Sequence, residues 1–194
     1  HRMVGGQQLF AKLKLKLEPI VQGQQAVSVL NMVPYESMPA ELVTAAMEEL
    51  KSCAQGGGVL GGFPLINMKC TVVGGETADV GSTDVAFAIA AHDAFEQGLR
   101  QGGPVLLEPI MRLQITTPED YLGDFIGDLQ QRRATISHTE NRGEISQIEA
   151  HAPLAELFGY SSAMRSLSQG RASCSMEPLN YAPAPASVAD SFGM

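Results

Sequence analysis

Between Leu9 and Leu17 the chain alternates without a break. Leu9, Ala11, Leu13, Leu15 and Leu17 fall on one parity, and Phe10, Lys12, Lys14 and Lys16 on the other. Successive side chains of a strand point to opposite faces, so a period of two requires an extended segment. One face is built of leucine for a core. The other is built of lysine, for solvent or for an anionic partner. A helix would scatter both sets around its circumference. A sheet with one covered face is therefore the first constraint on the fold. The lysine row also discourages edge-to-edge aggregation, and that ordinary role stands beside contact with a polyanion. The run closes at Glu18-Pro19.

Helical periodicity follows. Leu42, Val43, Ala46, Met47 and Leu50 recur at three- and four-residue spacing. Pro39 stands at the start, where a proline forfeits no hydrogen bond, and Gly56-Gly57-Gly58 is the expected stop. Leu65 to Val73 reads as a strand, with Gly74-Gly75 opening a loop. Ser82 or Thr83 is the expected cap of a second helix, with Asp84 in its first turn. Val85, Ala88, Ile89, Phe95 and Leu99 are its expected buried face. His92 lies on the same side and reads as a packed, hydrogen-bonded histidine rather than a ligand.

Gly102-Gly103-Pro104 marks a domain boundary. Beyond it Met111, Leu113 and Ile115 alternate with Arg112, Gln114 and Thr116 as a strand. Thr117-Pro118-Glu119-Asp120 is a helix-start signal of cap, proline and acids. Tyr121, Leu122, Phe125, Ile126 and Leu129 form the apolar stripe, and Arg132 and Arg133 sit at the negative end of the helix dipole. Two strands split at Glu140-Asn141-Arg142-Gly143 come next. A helical stretch from Pro153 to near Gly170 and a last strand from Arg171 to Glu177 complete the order. Strand, helix, strand, strand, helix, strand is the ferredoxin-like split βαβ pattern. The reading is α+β: domains over 1–104 and 105–181, then a flexible, Pro/Ala/Ser-rich tail over 182–194.

Chemistry is sparse. The net charge of −8 argues against general binding to DNA. All five lysines lie before residue 105, and the six cations after it are arginines facing eleven acids. There is no Gly-Lys-Ser/Thr phosphate loop, no His-Glu-x-x-His and no Gly-x-Ser-x-Gly. His1, His92, His138 and His151 are scattered. Asp120, Asp124 and Asp128 repeat every four residues, which fits a solvated helix face better than an acid pair. Cys53, Cys70 and Cys174 lack metal-ligand spacing and read as reduced, buried thiols of a cytoplasmic protein. No apolar run reaches the ~18 residues of a membrane span. Neither catalytic nor metal-binding residues are expected. A start at His1-Arg2 suggests a piece of a longer chain.

Several long motifs carry a resemblance. Leu106-Leu107-Glu108-Pro109-Ile110-Met111-Arg112, the run from Thr117 to Asp124, and Ile126-Gly127-Asp128-Leu129 before Arg132-Arg133 all resemble the last domain of translation elongation factor G. So does Pro153-Leu154-Ala155-Glu156-Leu157-Phe158-Gly159-Tyr160, continued by Met164-Arg165-Ser166 and Gln169-Gly170-Arg171. Gly61-Gly62-Phe63-Pro64 and Ala86 to Ala90 resemble the penultimate domain. The resemblance implies domains four and five of five, with the first of the ribosomal protein S5 domain 2-like fold (its opening strand missing) and the second ferredoxin-like. It implies a role in moving tRNA and mRNA through the ribosome. The partners would be ribosomal RNA at the decoding region and the stalk base, with no membrane and no DNA. GTP and Mg would be bound by a domain absent from this sequence, so no enzyme activity or cofactor is expected here.

The same resemblance implies that Gly5, Gly6, Gln7 and Gln8, with Thr77, Ala78 and Asp79, form RNA-proximal tip loops, and that Lys12, Lys14 and Lys16 could face RNA. Both loops depart from the family pattern. Gln7 stands where an arginine is usual, Gln8 where a glycine is, and Ala78 where a histidine is. Glu76 and Asp79 add negative charge that would repel phosphate. These departures open two alternatives, a paralogue that splits ribosomes with ribosome recycling factor and a ribosome-protection factor. A ligand-binding metabolic regulator is a third, from another class.

Overall fold

The computed structural model describes residues 2–21, 23, 25–56 and 62–193. The expected stop glycines Gly57 and Gly58, together with Gly61 and His1, lie outside the described residues. The chain divides into two compact units, His1–Pro104 with Ala189–Met194, and Val105–Val188. Both are mixed α+β.

In the first unit, β1 (Arg2–Val4) and β2 (Gln7–Leu9) form a hairpin. Then β3 (Lys12–Pro19), β4 (Ser28–Asn31) and β5 (Met68–Glu76) make a three-stranded sheet in the order β3-β5-β4. β5 is central, antiparallel to β3 and parallel to β4. Helices α1 (Ala40–Gly56) and α2 (Asp84–Gly102) supply Ala46, Leu50, Cys53, Ala91, Phe95 and Leu99 to the core that covers Cys70 and Val72. Leu13, Leu15 and Leu17 join this core from β3, as their alternation requires. Gly98 lets α2 approach β3 closely, since a Cβ there would lie 2.5 Å from Leu17 Cδ1.

Four local expectations change. The alternating run is not one strand: it breaks at Phe10-Ala11, because the Phe10 backbone bonds to the loop after β5 instead of to a strand. Gly74-Gly75 does not open a loop. Both pair with β3, and Gly75 is needed in the strand because a Cβ there would strike the Lys12 carbonyl and come within 2.7 Å of Met38 Sδ. Val85 is not buried on α2. The helix rolls to seat Phe87 with Met38, Leu42 and Val43, which leaves Val85 at 53 % exposure and makes Ala86, Phe87, Ala91, Phe95 and Leu99 the buried set. The edge strand β4 has no counterpart in the sequence reading, being only four residues long and mostly exposed.

The α2 cap is Thr83, whose Oγ1 accepts the Ala86 N–H at 3.2 Å. The loop just before it is what positions the tip. Phe10 N–H donates to the Gly81 carbonyl at 2.9 Å, and Ser82 Oγ donates to the Phe10 carbonyl at 3.0 Å while accepting the Ala78 N–H at 2.9 Å. Gly81 has φ +87, and a Cβ there would collide with the Gln8 carbonyl oxygen and lie 3.2 Å from Phe10 N. Only glycine meets both conditions cheaply.

The second unit is a four-stranded antiparallel sheet, order β7-β8-β6-β9, built from β6 (Leu107–Pro118), β7 (Thr135–Arg142), β8 (Ile145–Pro153) and β9 (Ser173–Pro183). Helices α3 (Leu122–Gln131) and α4 (Tyr160–Ser168) give the βαββαβ order. Phe125, Leu129 and Tyr160 pack on Leu113, Ile115, Ile148 and Ala150. Thr117 is not a helix cap: it and Pro118 remain in β6, and a 3-10 turn over Glu119–Tyr121 intervenes before α3. The helical stretch from Pro153 is likewise split, into a 3-10 turn over Leu154–Leu157 and α4, by Gly159 at φ +71. The residues after Ala182 hold the end of β9 and a short helix α5 (Ala186–Ser191).

The end of α3 shows how this unit is fastened. Arg133 adopts φ +57, a left-handed value that costs a non-glycine residue about 1 kcal/mol. It thereby grips Glu108 with both Nη atoms, each at 2.9 Å, and Glu156 through Nε at 2.9 Å. Arg132 next to it binds Asp128 at 2.8 Å and the Glu156 carbonyl at 2.7 Å. The two arginines complement the helix dipole, and they also tie α3 to β6 and to the turn before α4.

Two stability measurements follow from these contacts. Gly81→Ala should lower unfolding free energy by about 2 kcal/mol through clash and positive φ, whereas exposed Gly143→Ala, which meets no neighbour, should cost about 1 kcal/mol from φ alone. Arg133→Ala should cost about 2 kcal/mol by leaving Glu108 almost buried and unpaired. Arg133→Gly should cost about 1 kcal/mol less than that, because it relieves the backbone. Urea titration reads all four, and equal losses for the two Arg133 variants would show that its φ stores no strain.

Candidate functional site

The two expected tip loops meet at one end of the first unit. The β1–β2 hairpin turns through Gly5 and Gly6, at φ +57 and +82, and leaves Gln7 and Gln8 exposed beyond them. Thr77, Ala78, Asp79 and Val80 are all exposed on the neighbouring loop, Val80 to 82 %. The loops are joined through the segment just after the hairpin. The Phe10–Gly81 and Ser82–Phe10 bonds and the close approach of Gly81 to Gln8 hold them as a single tip. The sequence singles out the exposed residues, but it gives Phe10 a place in a strand and Ser82 a place as a helix cap, and it assigns nothing to Gly81; these three fix the tip. The signal available for Gly81 was a glycine just before a helix cap.

Lys12, Lys14 and Lys16 stand exposed on the face of β3 opposite its leucines. Two of the three are engaged: Lys12 Nζ lies 2.6 Å from Glu76, and Lys16 2.8 Å from Glu18, which Lys69 also meets at 3.2 Å. The hydrogen bond from Lys16, and then that from Lys69, holds the Glu18 carboxyl below the usual range. Lys14 has no ion-pair partner among the described residues. Glu76 is therefore paired with Lys12 rather than free at the tip. Asp79 is exposed and has no ion-pair partner among the described residues. Four lysines against two glutamates leave this face with a formal charge of about +2 on a chain of −8.

Catalytic geometry does not emerge elsewhere among the described residues. Asp120 and Asp124 are exposed, and Asp128 is bound to Arg132. Of the thiols, Cys53 and Cys70 are buried and Cys174 is half-buried. Burial pushes both Cys53 and Cys70 up to about 11, with Glu49 adding to the effect at Cys53. His92 is not packed in the core as expected. Its side chain is 51 % exposed, and its Nδ1 lies 3.2 Å from Glu49 Oε1 and 3.4 Å from Cys53 Sγ. A cysteine nucleophile with its base needs the thiol at one ring nitrogen and the acid at the other. Here both contacts fall on Nδ1, and the thiol is held protonated, so this trio is not an acyl-transfer site.

A shallow groove of about 410 Å³ beside α1, lined by Val33, Tyr35, Met38 and Met47 among others, offers only Glu48 and Lys51 as charged groups. Among the described residues no helix is long and apolar enough to cross a membrane.

The profile described as elongation factor G, domain IV matches residues 1–103, and that described as elongation factor G C-terminus matches residues 105–192. The chain is also similar to a crystal structure of a protein from Thermus thermophilus, with a TM-score of 0.76 and 34 % sequence identity over 98 % of this chain. It spans 28 % of that protein's length. Two adjoining profiles meet where the two compact units divide, and between them they account for nearly every residue: the chain belongs to the elongation factor G family of translation factors.

Proposed function

We propose that this chain is the ribosome-contacting part of a translational GTPase and that it promotes movement of tRNA and mRNA during protein synthesis. The observation that carries this reading is the joined tip. Two exposed loops are braced on one backbone segment by Phe10, Gly81 and Ser82, beside a lysine-bearing strand face. A mechanical part that occupies space behind a moving RNA needs a stiff end and a surface that tolerates phosphate. It needs no catalyst of its own. On this reading GTP and Mg²⁺ are bound by another domain of the parent protein, the decoding region and the stalk base are the partners, and the setting is the cytoplasm.

A second reading rests on the tip residues themselves. Gln7, Gln8 and Ala78 give the tip no positive side chain, and Asp79 stands unpaired among the described residues. On this reading the parent is a factor that splits ribosomes with ribosome recycling factor, or one that protects them. These activities differ in the parent protein with GTP and programmed ribosomes. Single-codon movement of mRNA supports the translocase. Subunit splitting with recycling factor and without movement supports the recycling reading and overturns the first.

Two substitution experiments sharpen the choice. In the parent, Gln7→Arg with Ala78→His should raise the translocation rate about tenfold if one charge-assisted contact of roughly 1.5 kcal/mol is regained in the moving state. An unchanged rate would count against a role for the tip in movement. Lys14→Gln should flatten the salt dependence of ribosome binding, lowering the slope of log K against log salt by about one. Lys12→Gln should flatten it less, because Lys12 is engaged with Glu76. Equal slopes would mean that the lysine face is only a solvated sheet surface.

A further inference from the structure

We infer that Glu49, Cys53 and His92 form a binding site for a single thiolate-accepting divalent transition ion, zinc foremost, in the seam between α1 and α2. Glu49 and Cys53 are four residues apart on α1, so they lie one turn apart on the same face. His92 reaches them from α2, just over two turns after its cap at Thr83. Three ligand chemistries thus converge from two helices that pack side by side, with no recognisable motif in the sequence.

The spacing of the ligand atoms matches the size of the ion. The three candidate ligand atoms form a near-equilateral triangle: Cys53 Sγ to Glu49 Oε1 is 3.4 Å, Cys53 Sγ to His92 Nδ1 is 3.4 Å, and His92 Nδ1 to Glu49 Oε1 is 3.2 Å. A tetrahedral zinc ion holds sulfur at about 2.3 Å and nitrogen or oxygen at about 2.0–2.2 Å. At tetrahedral angles this separates nitrogen from oxygen by about 3.3 Å and sulfur from either by about 3.6 Å. The observed triangle is therefore one face of such a tetrahedron to within about 0.2 Å. The three atoms already stand at the mutual spacing such an ion requires.

Burial is graded in the right sense. Cys53 is buried at the base of the triangle, while the Glu49 and His92 side chains are 33 % and 51 % exposed above it. An ion can enter from solvent and keep water at its fourth position, the arrangement of an open zinc site. One thiolate, one imidazole and one carboxylate select borderline ions over magnesium and calcium, which take oxygen alone. Without an ion, the same atoms are satisfied by hydrogen bonds, with the Cys53 thiol donating to Glu49. Binding replaces this proton. Zn²⁺ displaces H⁺ from the Cys53 thiol, Glu49 binds as the carboxylate, and His92 binds through Nδ1 as the neutral ring with its proton on Nε2. One proton is released to solvent for each ion bound, and no electron is transferred.

The test is titration of the reduced chain with zinc against a chromophoric chelator, with cobalt(II) as a spectroscopic substitute. The expected result is one ion per chain, one proton released near neutral pH, and a sulfur-to-cobalt charge-transfer band in the near ultraviolet. Cys53→Ala should abolish that band. Half-exposed His92→Ala, which leaves the core intact, should weaken zinc binding tenfold or more. Cys70→Ala and Cys174→Ala should leave both readouts unchanged. Absence of one-to-one zinc binding by the folded chain would overturn the inference, as would affinity unaltered by His92→Ala or a cobalt band that survives Cys53→Ala.

Discussion

Strand β5 is the element on which the first unit depends. It is the central strand of its sheet, paired from Met68 to Glu76 with antiparallel β3 and from Lys69 to Val72 with parallel β4. Its residues Cys70, Thr71 and Val72 are buried. A strand held on both sides over its buried stretch cannot shift register by one residue without turning its core face toward solvent, so it fixes where its ends emerge. At its C-terminal end it passes Gly75 under Met38 and delivers the loop of Thr77 to Ser82 against the backbone of Phe10. The exposed tip is thus set by a buried strand. Its geometry follows from that strand together with the loop's own Gly81 and Ser82, which engage the Phe10 backbone.

Charge serves the two units differently. In the second, arginines are used internally: Arg132 and Arg133 close the end of α3 onto Asp128, Glu108 and Glu156, and Arg112 reaches Glu177 at 3.0 Å. A planar guanidinium suits such forked contacts better than lysine does. In the first unit Lys12, Lys14, Lys16 and Lys69 stand on an open sheet face, partly balanced by Glu18 and Glu76. Exposed pairs of this kind contribute little to stability, about 0–1 kcal/mol each. Their consequence is a modest positive field on an otherwise acidic chain, and this is why a polyanionic partner remains compatible with a net charge of −8.

Glycines and residues at positive φ are concentrated where elements must stop or approach closely. Gly81 touches the Gln8 carbonyl, Gly159 separates the 3-10 turn from α4, and Gln169 and Gly170 both take left-handed values after α4. Arg133 is the informative exception. A backbone preference for glycine is overridden there by three hydrogen bonds to two carboxylates. The interactions of a side chain can therefore hold a conformation that the backbone alone would disfavour.

Period-two and period-four patterns in the sequence determined much of the architecture. The leucine face of β3, the α1 stripe, the α3 stripe and the βαββαβ order are all legible because burial of apolar area leaves a repeating trace along the chain. Long motifs such as Pro153 to Tyr160 and Gln169 to Arg171 made the family legible too. What the sequence left open was every feature set by partners distant in the chain. The break of the alternating run at Phe10 depends on hydrogen bonds to Gly81 and Ser82, far along the chain. The roll of α2 depends on the space for Phe87, and the neutralisation of Glu76 on its register opposite Lys12. The meeting of Glu49, Cys53 and His92 depends on how two helices lie on one sheet. Periodicity reports which face of an element is buried, but only tertiary packing decides what that face, or the edge beside it, comes to touch.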